Sequence, residues 1–238
     1  MITLLATDID GTLVGDDSSL NDFNKHITTL QNSGKVRLVY VTGRSLEMFN
    51  DIQAEKNLIV PDALIAAVGG EIYLKGIRQN DWPIVDRWHP EQIAQVVAVY
   101  SGIKPQPPTE QRDFKRCYYF DDATEHIAKI QNELGDDYSV IYSSNRYLDI
   151  LPTGVNKASA IRQLCSYWRM PLSNVIAAGD SGNDIAMLEQ YKAIMVGNSS
   201  HELQTWRHGC KNNNLYAARK TYAAGILEGL RYFGVIED

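Results

Sequence analysis

Short apolar runs, each halted by glycine or a polar residue, recur along this chain with helical patterns between several of them. Ile2–Thr7, Val36–Val41, Leu64–Val68, Val175–Ala178 and Ala193–Val196 are rich in Val, Ile, Leu and Ala. Runs of this kind fit the central strands of a parallel sheet covered on both faces. Between them, Leu20–Ser33, Ser45–Glu55, Asn183–Gln190 and His201–Gly209 carry helical patterns. Strand–helix–strand alternation restricts the chain to an open α/β fold. Ligands of such a fold bind in the crevice beyond the carboxyl ends of the strands. The residues at the strand tips therefore carry most of the information about chemistry.

The middle of the chain breaks this rhythm. GGEIYLKG reads as the second half of a hairpin leading out of the core. Glu91–Tyr100 is helical, KPQPPTEQRD is a polar loop with little element of its own, and KRCYYF is strand-like. Ala123–Leu134 is helical again, and YSVIYSSNRYLDILP reads as two β runs joined by a turn at Ser144–Asn145. A small sheet covered by helices, inserted at residues 82–152, satisfies this order. Residues 1–81 and 153–238 then form the two parts of the main domain, and 238 residues suffice for both bodies.

Composition sets the outer limits. The formal net charge is -6, and Lys211, Arg219 and Lys220 form no stripe, so nucleic acid is not an expected partner. No apolar stretch reaches membrane-spanning length. The start of the chain lacks a basic, then apolar, signal pattern. Cys117, Cys165 and Cys210 are scattered and odd in number, which fits a reducing compartment, and a cytoplasmic location is expected. The oligomeric state stays open, a monomer included.

Two strand tips are acidic. The first run ends in TDIDGT, with Asp8 and Asp10 two residues apart; the run Val175–Ala178 ends in GDSGND, with Asp180, Asn183 and Asp184. A capping Asp or a DG turn explains one such acid. It does not explain two buried strands that both end in carboxylates. Acids held together repel unless one is protonated or a cation sits between them. Mg²⁺ is the usual partner of carboxylates that handle phosphate. Phosphate also needs donors. The tip of Val36–Val41 supplies Thr42, Gly43 and Arg44, and a helix start follows at Ser45, a ready anion site. Lys157 opens a helix, where a cation opposes the dipole, so its position calls for an anionic neighbour. The isolated histidines read as structural, His89 as a helix start before Pro90. The four tryptophans read mainly as packing residues.

The four stretches TDIDGT, VTGR, Lys157 and GDSGND, in this order, resemble the haloacid dehalogenase superfamily of phosphatases. AAVGGEIY, the PQ–P–EQ loop, the Lys115 strand, YSSNRYLDILP with GVNK, and the AGILEGL tail are similar to the sucrose-phosphate phosphatase family. The resemblance implies a Rossmannoid parallel-sheet core with an inserted α+β cap of the C2B type. It implies an Mg²⁺-dependent phosphomonoesterase acting on a phosphorylated disaccharide, sucrose 6-phosphate first and mannosylfructose phosphate next. Asp8 is then the nucleophile and Asp10 the acid–base, Thr42 and Lys157 hold the phosphoryl group, and Asp8, Asp10, Asp180 and Asp184 serve the metal. Thr42, Gly43, Arg44, Gly70, Glu71, Lys115, Asp149, Asn156 and Asn183 are the expected substrate contacts. Two positions depart from the family pattern: Leu13, where a tryptophan is usual, and Cys117, where a serine is usual. Another sugar-phosphate phosphatase, a phosphomutase, and an inactive binding protein on the same fold are the competing readings.

Overall fold

In a computed structural model, which describes residues 2–83, 85 and 87–237, the chain forms two bodies, each around its own sheet. The first half of the larger sheet is built from β1 (Thr3–Thr7), β2 (Val36–Val41), β3 (Ala63–Ala66), β4 (Glu71–Leu74) and β5 (Ile77–Arg78), with helices α1 (Asp17–Asn32) and α2 (Leu46–Lys56) between. The smaller body follows with α3 (Pro90–Val97), β6 (Lys104–Pro105), β7 (Arg116–Tyr119), α4 (Thr124–Leu134), β8 (Tyr138–Ser143) and β9 (Tyr147–Pro152). The chain then returns through α5 (Lys157–Trp168), β10 (Val175–Gly179), α6 (Ile185–Gln190), β11 (Lys192–Met195), α7 (His201–Gly209), β12 (Leu215–Ala217) and α8 (Tyr222–Tyr232).

The larger sheet has the order β12-β11-β10-β1-β2-β3-β4-β5, parallel from β12 to β3 and antiparallel at β4 and β5. Successive side chains of a strand point to opposite faces. In β1, Leu5 packs with α1 and α8 residues such as Phe23, Ile27 and Ile226, whereas Leu4 and Ala6 pack with Ile161 and Leu164 of α5. Both faces are covered, which is why β1 reads as an unbroken apolar run rather than an alternating one. Strand β1 is central. The chain moves outward one way through β2 and β3 and the other way through β10, β11 and β12, so the crevice opens where the tips of β1 and β10 meet.

The smaller sheet is antiparallel, in the order β6-β7-β9-β8. Leu148 and Ile150 of β9 pack with Ile93 and Val97 of α3 and Ile130 and Leu134 of α4. The alternate residues Tyr147 and Asp149 therefore face away from those helices, toward the crevice.

Several expectations are corrected. Strand β3 stops at Ala66, because Ala67, Val68 and Gly69 all take left-handed backbone angles (φ 51, 60 and 97°) to reverse the chain into β4. Val68 keeps its apolar character by packing on Leu151 and Val155. GGEIYLKG is the second half of a hairpin, as expected, with β3 as its first half, but it extends the main sheet rather than leading out of the core. The proline-bearing loop contains β6 and a 3₁₀ turn at Pro108–Glu110. A 3₁₀ turn at Gly182–Asp184 precedes α6, which begins at Ile185. Strand β12 is short, and no apolar run announces it.

Candidate active site

Asp8 stands at the tip of β1, held in register by its own N–H donating to the Ala178 carbonyl of β10 at 3.0 Å. Across that junction, Asp180 follows β10. The Asp184 carboxylate folds back to accept from the backbone N–H of Asp180 at 2.9 Å and of Ser181 at 3.1 Å. This places carboxylate oxygens of Asp8, Asp180 and Asp184 within 4.8 Å of one another. Lys157, the first residue of α5, is fully buried and donates to Asp8 Oδ1 at 2.7 Å and to Asp184 Oδ1 at 2.6 Å. Those two bonds explain a cation at a helix N-terminus: burial alone would discharge it, but Asp184 and Asp8 hold its pKa above the ordinary lysine value.

One ammonium does not balance three carboxylates. Burial, reinforced by the Asp184 charge, pushes the Asp180 pKa up to about 7, against the opposing bond from Thr12 Oγ1, which donates to Asp180 Oδ1 at 2.6 Å. Burial likewise raises Asp8 well above the usual carboxylate range, although Lys157 pulls the other way. Among the described residues, Asp8 Oδ2 and Asp180 Oδ2 accept no hydrogen bond, while both oxygens of Asp184 do. An all-oxygen, anionic and under-neutralised donor set suits a hard divalent cation.

The Asp10 side chain lies outside the group formed by Asp8, Asp180 and Asp184. Its carboxylate turns away from the cluster and takes a bidentate pair from Arg44, Nε to Oδ2 and Nη2 to Oδ1, both at 2.7 Å. Arg44 thus sits at the acid–base candidate. Thr42 is buried at the tip of β2, where its hydroxyl oxygen accepts the Arg44 N–H at 3.1 Å and its carbonyl accepts from Val68.

A cleft of about 240 Å³ lies between the two bodies over this floor. Of the expected substrate residues, Gly43, Arg44, Asn183, Lys115 and Asp149 line it together with Asp8 and Asp10. Lys115 and Asp149 form a buried ion pair at 3.1 Å, in which Asp149 offsets the effect of burial and keeps the lysine pKa raised. Four expected contacts lie outside the lining: Thr42, described above, and Glu71, Gly70 and Asn156, which have other partners. Glu71 is buried, accepting from Tyr73 Oη at 3.0 Å and from Arg112 Nε at 3.2 Å. Gly70 gives room to Phe114, whose Cε2 would lie 2.1 Å from a Cβ there. Asn156 caps α5, its side chain accepting the Ser159 N–H at 3.0 Å. Glu71 and Gly70 thus anchor the loop that carries Arg112 and Phe114, and Arg112 also meets Glu47 of α2 at 3.6 Å.

Further lining residues escaped the sequence reading: Met48, Gln106, Glu110, Ser143, Ser144 and Tyr147. Tyr147 shares the strand parity of Asp149, a signal that was available; Gln106 and Glu110 sit in an irregular loop that offers none. Leu13 and Cys117, the two departures, are fully buried and outside the lining. Trp82 donates from Nε1 to the Gly69 carbonyl at 2.7 Å, and Trp88 packs on Tyr138; neither lines the cleft. No helix among the described residues is long and apolar enough to cross a membrane.

Comparison with known proteins agrees with this geometry. Mannosylfructose-phosphate phosphatase of Agrobacterium fabrum is 30% identical over 244 residues, covering 98% of both chains. Glucosylglycerol-phosphate synthase of Pseudomonas anguilliseptica is 34% identical over 244 residues, but this chain spans only 31% of its length. The crystal structure of the sucrose-phosphatase of Synechocystis sp., in complex with sucrose and phosphate, superposes with a TM-score of 0.92 at 30% identity, over 98% of this chain and 99% of that one. The architecture is a Rossmannoid α/β core with an inserted α+β cap, and the intact carboxylate cluster with Lys157 is that of a phosphatase. The sequence model of sucrose-6F-phosphate phosphohydrolase matches residues 1–234, and the chain belongs to that family, within the haloacid dehalogenase superfamily.

Proposed function

We propose that this phosphatase hydrolyses a phosphorylated disaccharide, sucrose 6-phosphate first, with Mg²⁺ as cofactor and residues 82–152 as the closing cap. The observation that supports it best is the cleft itself: a nucleophile-bearing floor faces a cap wall of polar groups, Gln106, Glu110, Lys115, Tyr147 and Asp149. A sugar presents many hydroxyls, and a wall of this kind pairs them and rejects substrates that leave its groups unpaired. The similarity to a sucrose-phosphatase structure holding sucrose and phosphate points the same way.

Asp8 attacks phosphorus through one carboxylate oxygen and forms an aspartyl-phosphate, the sugar oxygen being the leaving group. Lys157 and Thr42 face the transferring group and offset the charge spread over it. Asp10 protonates the leaving sugar oxygen and then takes a proton from the hydrolytic water; to do so it exchanges its Arg44 contacts for substrate. A bound Mg²⁺ ion supplies the positive charge that lets an anionic ester approach three carboxylates. The second Asp8 oxygen and Asp180 Oδ2 would hold the ion, and Asp184, whose two oxygens already accept hydrogen bonds, would orient the loop and support the ion less directly.

Mannosylfructose phosphate is the second reading, carried by the relative that matches over 98% of its own length. Release of free phosphate from sucrose 6-phosphate, mannosylfructose phosphate, glucosylglycerol phosphate and glucose 6-phosphate tests the choice. Sucrose 6-phosphate is expected to give the highest kcat/KM. A hexose or glucosylglycerol phosphate as best substrate refutes the disaccharide reading, and an isomerised sugar phosphate in place of free phosphate would make the protein a mutase.

A further inference from the structure

Two of the cap segments that touch the core flank the cleft. One is the loop carrying Arg112 and Phe114. The other is the tight turn between β8 and β9, where Ser144 and Asn145 take φ of 53 and 51°. Beside this turn stands Glu202, in the first turn of α7, a core helix. Its Oε1 accepts the backbone N–H of Ser144 at 2.8 Å and that of Gly182 at 2.9 Å. Ser144 belongs to the cap and lines the cleft; Gly182 lies between Asp180 and Asp184. A single carboxylate oxygen thus joins the cap turn to the loop that carries the metal-binding acids.

The surroundings are shaped for this contact. A Cβ on residue 182 would lie 2.3 Å from the Tyr142 carbonyl oxygen of β8 and 3.2 Å from Glu202 Oε1, so the cap strand reaches the core loop only because residue 182 is glycine. Service to α7 alone does not account for the arrangement. Ser200 already caps that helix, and an acid in the first turn favours the helix dipole without any specific partner.

We propose that Glu202 is a positioning residue that holds the cap turn against the catalytic loop, so that Ser143, Ser144 and Tyr147 stand over Asp8 while a sugar phosphate is turned over. The proposal deepens the sugar-phosphate reading and rests on it for its kinetic consequence. Both bonds need an acceptor rather than a charge. Glu202→Gln keeps an acceptor oxygen of the same reach, and Glu202→Ala removes it.

The test compares wild type, Glu202→Ala and Glu202→Gln in two ways. The first is kcat and KM for sucrose 6-phosphate and for p-nitrophenyl phosphate, which is too small to use the cap wall. The second is amide hydrogen exchange across residues 138–147. A hydrogen bond to a carboxylate corresponds to about a tenfold change in an equilibrium. Glu202→Ala should therefore raise KM for sucrose 6-phosphate about tenfold or more and speed exchange in the turn. Its kcat/KM for p-nitrophenyl phosphate should stay within about threefold of wild type. Glu202→Gln should restore both properties. Unchanged exchange in Glu202→Ala overturns the proposal, and so does an equal loss on both substrates. If wild type does not hydrolyse sucrose 6-phosphate, the substrate reading fails by itself, and the exchange rates still decide whether Glu202 ties the turn.

Discussion

The crowded carboxylates make stability depend on pH and on Mg²⁺ together. Burial first, and the Asp184 charge second, raise the Asp180 pKa from 3.8 to about 7. A carboxyl group with a raised native pKa binds its proton more tightly folded than unfolded. Its contribution is therefore fully present below the unfolded value and is lost as pH rises through the native one. Over that interval the metal-free protein should lose roughly 4 kcal/mol from this group alone. For a chain of this size, 1 kcal/mol moves Tm by about 2–4 °C. In EDTA, Tm should thus fall by on the order of 10 °C between pH 4.5 and 7.5.

Mg²⁺ should reverse the loss where it is largest. At a concentration of 100 Kd, a ligand specific to the folded state adds about 2.7 kcal/mol, or about 5–10 °C. At pH 7.5 the acids are open to the ion; at pH 4.5 protons compete, and the gain should shrink. Asp180→Asn removes one of the repelling charges. It should raise Tm in EDTA at pH 7.5, flatten the pH dependence and weaken the Mg²⁺ response. Differential scanning fluorimetry across pH, with EDTA or Mg²⁺, measures all of this. A metal-free Tm that does not fall with pH, combined with no Mg²⁺ shift at pH 7.5, would refute the idea of an under-neutralised cluster.

Other perturbations address single residues. Asp8→Asn should fold normally and lose all turnover, and even a tenth of wild-type phosphate release would remove Asp8 as nucleophile. Lys157→Met leaves Asp8 and Asp184 buried without their cation; it should destabilise the metal-free protein by about 3–5 kcal/mol in urea unfolding and abolish activity. A midpoint equal to wild type would show that the ammonium does not hold the cluster. Lys115→Ala should lower kcat/KM for sucrose 6-phosphate at least about tenfold more than for p-nitrophenyl phosphate, because only the disaccharide reaches the cap wall. Equal losses would assign the Lys115–Asp149 pair to cap folding.

The core was legible because its information is local. A buried parallel strand is an apolar run, its end is visible as a change of residue type, and the fold places that end at the crevice. Asp8, Thr42 and Asp180 could therefore be read off directly, and Lys157 by its conflict with the helix dipole. The cap was less legible because residue type does not give direction. Glu71 and Asn156 are polar and close to the crossings between the two bodies, yet one clasps Arg112 and the other caps α5. Glu202 is invisible to any local pattern, since its two partners lie 58 and 20 residues away. The same contrast bears on specificity. The floor residues act on the phosphoryl group, which all these esters share, so they cannot tell one sugar from another. Discrimination has to come from the cap wall, where Asp149 and Tyr147 depend on strand parity and Gln106 and Glu110 on the path of an irregular loop. On the proposed function, substitutions among those four residues should change the sugar preferred while leaving Asp8, Lys157 and the acids intact.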